Sequence, residues 1–145
     1  IAAYYPTASV LANDIGAICY YSDPRLLDVV GLGTTDVALL KKRNAYTMAA
    51  LQDLITSRHV EIGVIYPGWL PGPPDQSILV AGLWKIDENV AAAADQVAFV
   101  ATTPAEADTL LTRLKAFRSE LPGTVRFILP PDGRPTPFLR WPQPW

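Results

Sequence analysis

The stretch from Ala45 to Pro67 constrains the fold most. Met48, Leu51, Leu54 and Ile55 recur at helical spacing and give one apolar stripe to a helix predicted over about Ala45–Ser57. The period then changes. "EIGVIYP" is a β-branched run closed by Pro67, the pattern of a strand. A helix that feeds a short apolar strand must lie on a sheet face, so the chain is built in layers.

The same alternation recurs along the sequence. Val10–Ala12 reads as a strand and Ile15–Tyr21 as a short helix, with Asp14 as its N-cap. A turn at Asp23-Pro24-Arg25 leads into a second strand, Leu26–Val30, which ends at Gly31-Leu32-Gly33. Asn13, Gly16 and Gly31 are the structural turn residues of this region. Thr34-Thr35-Asp36 would cap a turn of helix through Lys42. Residues 77–86 and 96–103 are further strands, joined by "DENVAAAAD" as a short helix or a turn. Thr103 begins the best-marked helix: it offers an N-cap hydroxyl, Pro104 takes the first position, and Glu106 stands at N3 for a capping box. Leu110, Leu111, Leu114 and Phe117 form its buried stripe, and Pro122-Gly123 ends it before the last strand, "TVRFILP". The expected fold is one α/β domain over residues 1–145, a mixed and mostly parallel sheet flanked by helices in Rossmann-like layers. Residues 130–145 form a proline- and aromatic-rich tail whose Phe138, Trp141 and Trp145 would pack on the body or on a partner.

Composition narrows the class. Half of the residues are hydrophobic and 18% are charged, which excludes disorder and favours a sheet covered on both faces. The formal charge is −2 with acids and bases interspersed, so the basic stripe of a nucleic-acid binder is missing. A single cysteine, Cys19, rules out an intrachain disulfide framework. No apolar run approaches the roughly 20 residues of a membrane span. The opening "IAAYYPTASVL", without an initiator Met, suggests a domain excised from a longer chain.

Two carboxylates sit where apolar strands end. Asp14 either caps the following helix or faces a ligand, since strand ends of open α/β sheets are where ligands bind. As a cap it would neutralise an anion site at that helix start, which argues against phosphate there. Asp28, amid Leu27, Val29 and Val30, must turn outward or find partners, because an unpaired buried charge is very costly. The two could face each other across adjacent strands, sharing a proton or holding a hard cation, or each could hold a turn. The aromatics of "YPGWLPG", Tyr66 and Trp69, either offer flat apolar area to a carbohydrate or lipid, or fold back over the core. The one histidine, His59, reads as a solvated helix-end residue, and with no second histidine or cysteine pair no zinc site is expected. Cys19 is expected to be a small buried hydrophobe. "GLG" at 31–33 is too short for a nucleotide fingerprint, and the serines lack a G-x-S-x-G elbow. No cofactor, metal or catalytic residue is expected.

Together, "ANDIGAICYYSD", "LLDVVGLG" and "YTMAALQDLITSRHVEIGVIYPGW" resemble the C-terminal region of bacterial polytopic glycosyltransferases of the dolichyl-phosphate-mannose-protein mannosyltransferase type. The matching positions are Asn13, Asp14, Ile15, Gly16 and Ala17, then Asp28, Gly31 and Leu32, then Pro67 and Trp69. The first half of the chain carries the resemblance, and the second half follows only by pattern. It implies an accessory domain on the extracytoplasmic face of the bacterial cytoplasmic membrane, in a parent enzyme using a polyprenyl-phosphate sugar donor. The implied partners are the transmembrane part of the same polypeptide and a glycan or lipid-linked sugar, with no nucleic acid. The family's catalytic base lies in a loop between membrane spans that this sequence does not contain, so the chain alone would not be catalytic. The competing expectation is a free-standing small-molecule-binding or hydrolytic α/β domain using Asp14 and Asp28.

Overall fold

The computed structural model describes residues 1–73 and 76–138. Among these, seven strands form one mixed sheet with four α-helices: β1 (Ser9–Ala12), α1 (Gly16–Tyr21), β2 (Arg25–Asp28), α2 (Thr35–Lys42), α3 (Met48–Ser57), β3 (Ile62–Ile65), β4 (Leu79–Ile86), β5 (Gln96–Ala101), α4 (Pro104–Phe117), β6 (Val125–Ile128) and β7 (Thr136–Pro137). The strand order is β2-β1-β3-β5-β4-β6, and β7 pairs with β4 beside β6.

The single α/β domain is as expected, but the sheet is not mostly parallel. Only β1–β2 and β1–β3 are parallel, while β3–β5, β5–β4, β4–β6 and β4–β7 are antiparallel. The physical reason lies in residues 87–95, which make bends and turns rather than a helix. Without a crossover, two strands that follow each other pair antiparallel, and β4 and β5 do so along most of their length, with a bulge between Val80 and Gly82. The helical crossovers are confined to the first half, plus α4, which carries the chain from β5 over to β6.

Side chains alternate between two cores. Leu11, Ile65, Leu83, Ala98 and Val100 point to the face covered by α2 and α3 through Val37, Leu51 and Ile55. Phe138 joins this core, whereas Trp141 and Trp145 lie outside the described residues. Val10, Ile62, Ala81, Phe99 and Ala101 point to the other face, covered by α4 through Ala107, Leu110, Leu111 and Leu114. β1 is buried at all four positions, as a strand covered on both sides must be. Helix α4 starts on half of the expected capping box: the Thr103 hydroxyl accepts the Glu106 N–H at 3.2 Å, with Pro104 in the first turn, but among the described residues the Glu106 carboxylate makes no bond back to the Thr103 N–H. It runs over only part of its face, and the end of the sheet beyond it stays open.

Candidate functional site

The chain leaves β1 in one direction to build β2 and returns on the other side to build β3. The gap between β1 and β3 is therefore a point where the strand order reverses, and such points open a crevice at the carboxyl ends of the strands. Two side chains after β1 reach across this gap. Asn13 Oδ1 accepts the Tyr66 backbone N–H at 2.6 Å, and the Tyr66 hydroxyl donates to Asp14 Oδ2 at 3.0 Å. Burial, followed by the hydrogen bond to Asp14 and its charge, pushes the Tyr66 phenol above its ordinary range. Tyr66 thus stays a protonated donor. Trp69, in the 3₁₀ turn Pro67–Trp69, meets the Tyr66 ring edge-on at 5.7 Å and is half-exposed.

Asp14 does not cap α1. Ile15 occupies the N-cap position in a helical conformation, and among the described residues no side-chain cap bond is made to the first turn. Gly16 has no left-handed backbone conformation, and an added Cβ there would meet only Asp14 Oδ1, at 4.0 Å.

Asp28 does what Asp14 does not. It is fully buried, and its carboxylate accepts the Val30 N–H and the Gly33 N–H, each at 2.7 Å. Its own N–H donates to the Thr34 hydroxyl at 2.9 Å, so Thr34 closes the same loop rather than capping α2 with its side chain. Gly31 makes the loop possible: its φ is +89°, and a Cβ there would lie 2.9 Å from the Ala38 nitrogen. Tyr46 seals the neighbourhood, donating its hydroxyl to the Val29 carbonyl at 2.9 Å. Its phenol is pushed up to about 12 by burial and then by the Asp28 charge. Both oxygens of Asp28 accept backbone N–H groups of its own loop, and among the described residues no bond joins it to Asp14.

At the open end of the α4 face lies a groove of about 250 Å³. Val64, Trp84, Ile86 and Val97 floor it from the sheet, Ala17 and Ile18 wall it from α1, and the 87–95 loop contributes Ala92, Ala94 and Asp95. Asn13, Asp14 and Tyr66 form its polar end. Asp95 is paired with Lys85 at 3.0 Å. Two buried donors here have no acceptor among the described residues: Asn13 Nδ2 and the Trp84 indole Nε1. Leaving a buried donor unpaired costs about 1–3 kcal/mol.

The other expected residues stand apart from this groove. His59 is exposed with φ +50° after α3, at the opposite end of β3. Cys19 is exposed on α1 rather than buried, because this short helix buries none of its residues. Among the described residues, no group of three or more His, Cys, Asp or Glu side chains could hold a metal ion. Trp84 and Val97 were not legible as site residues. Strand alternation gives their face, but it does not say that this end of the face is left uncovered.

No curated protein and no solved structure matches the chain. A family model described as Domain of unknown function (DUF8728) matches residues 1–116, which takes in β1 through nearly all of α4 and every groove residue named above. The chain belongs to that family.

Proposed function

We propose that the chain is an accessory extracytoplasmic domain of a membrane-bound glycosyltransferase that uses a polyprenyl-phosphate sugar, and that its groove contacts the glycan being handled. The observation that carries this is convergence. Residues scattered through the glycosyltransferase-like stretches, Asn13, Asp14, Ala17 and, through Tyr66, Trp69, gather at one crevice at the carboxyl ends of β1 and β3. Beside it, α1 holds Tyr20 and Tyr21 at 81% and 74% exposure, aromatic area turned away from this domain's own core. Such area suits contact with the transmembrane part of the same polypeptide.

The groove favours holding over reacting. Asp14 faces a phenol held protonated, and no nucleophile–base pair stands beside it among the described groove residues. A hydrolytic pairing with Asp28 finds no support, because that carboxylate is spent on backbone amides. Catalysis then belongs to the membrane part.

The coding sequence upstream of Ile1 tests this reading. It should encode a series of apolar spans of roughly 20 residues each. An open reading frame that begins near Ile1 would overturn it, as would sugar transfer from a polyprenyl-phosphate donor by the purified chain alone.

A further inference from the structure

We propose that the groove binds a single neutral sugar unit rather than the phosphate of a lipid-linked donor, with Asn13 and Trp84 donating to its oxygens and Asp14 accepting from one of its hydroxyls. This deepens, and rests on, the glycan-contacting role proposed above. Three observations lead to it.

The first is charge. Among the described residues, the groove lining contains two carboxylates, Asp14 and Asp95, and no Lys, Arg or His. Lys85 neutralises Asp95 at the rim, whereas Asp14 has no cation against it among the described residues. A phosphate would meet an unscreened negative charge with no positive partner. The ligand is therefore not an anion.

The second is the hydrogen-bonding inventory. Asn13 is 5% exposed, and its Oδ1 is committed to the Tyr66 N–H. Among the described residues its Nδ2 has no acceptor, and neither has Trp84 Nε1 in the same lining. Asp14 spends one oxygen on the Tyr66 hydroxyl, and the other carries no bond among the described residues. Both donors are buried beneath the lining, so a small opening of it brings two donors to a ligand beside one strong acceptor. A polyol, whose hydroxyls donate and accept at once, satisfies both kinds.

The third is shape. The floor is apolar, formed by Val64, Ile86 and Val97 with the Trp84 ring. A pyranose has one face of C–H groups to lay on such a surface. The volume of about 250 Å³ lies below the roughly 300–1,000 Å³ of drug-sized pockets, so it suits one ring rather than a chain.

The test is a titration of the ¹⁵N-labelled chain with methyl glucoside, galactoside and mannoside, with inorganic phosphate and a short-chain isoprenyl monophosphate as separate arms. At least one glycoside should shift the Trp84 indole and Asn13 amide resonances together, with one millimolar-range Kd. Asp14→Asn, an exposed substitution that leaves the fold intact, should weaken that binding about tenfold. Asn13→Asp keeps the acceptor for the Tyr66 N–H but removes the donor, and should weaken it at least as much. If that variant does not fold, the wild-type resonances and Asp14→Asn still decide. The proposal is overturned if no glycoside moves the two resonances, or if either phosphate moves them more strongly. That result leaves the accessory role to the upstream sequence. Upstream spans missing beside a positive titration would remove the glycosyltransferase role and keep the site.

Discussion

The turns after β1 and β2 begin alike and end differently. Each closes an apolar parallel strand with an Asp, each is followed within a few residues by glycine, and the two strands pair in register. Yet Asp28 is wholly buried and holds its loop with both oxygens, while Asp14 stays exposed and bonds a tyrosine from another strand. The difference lies in the path of the chain. After Asp28, Gly31 takes a left-handed conformation that swings the backbone round until two N–H groups face the carboxylate. After Asp14, the chain enters α1 at once, and among the described residues its first N–H groups make no bond to the carboxylate. A carboxylate at a strand end is thus structural or available according to the turn that follows it.

The largest effect that could break this comparison is on Asp28. Asp28→Ala leaves two amides without their acceptor and should cost roughly 2–5 kcal/mol. Asp28→Asn, which keeps one acceptor oxygen, should fall between that variant and the native chain. Chemical denaturation measures both, and a loss under about 1 kcal/mol for the alanine variant would contradict the assignment.

Tyr46 sharpens the picture through pH. Its folded pKa of about 12 lies above the unfolded value of 10, so the unfolded chain gives up the proton first. The stability tied to this group is complete below about pH 10 and is lost as pH rises towards 12. Tyr46→Phe should flatten that alkaline decline while costing about 1 kcal/mol at neutral pH for the bond to Val29. Melting curves from pH 8 to 12 compare the two chains, and an equal alkaline decline in both would exclude Tyr46 as its source.

Asp14→Ala should be the mildest for stability, within about 0.5 kcal/mol, as for an exposed side chain with one hydrogen bond. Its damage should appear in ligand binding instead. A melting-temperature drop matching that of Asp28→Ala would erase the contrast between the two turns.

Much of the scaffold was legible in the sequence. The Thr103-Pro104 start, the Met48-to-Ile55 stripe and the parallel β1, β2 and β3 follow from capping chemistry and periodicity. Strand pairing in the second half was not. The choice between parallel and antiparallel for β4 and β5 rests on whether residues 87–95 form a helix, and an alanine-rich run reads either way. The site was half legible. Asn13, Asp14, Tyr66 and Trp69 stood out by residue type and position, but the roles of the two carboxylates were not separable, because they depend on the φ of Gly31 and the start of α1. Trp84 carries no local mark at all. It borders the groove while its ring stacks on Phe117 at the end of α4, with 5.7 Å between the ring centroids.

Amide hydrogen exchange at the two turns tests the division of labour most directly. The Val30 and Gly33 N–H groups, bonded to the Asp28 carboxylate, should be strongly protected, and the Gly16 and Ala17 N–H groups at the uncapped start of α1 should exchange quickly. Protection of Gly16 and Ala17 that disappears in Asp14→Ala, together with rapid exchange at Val30 and Gly33, would contradict the account.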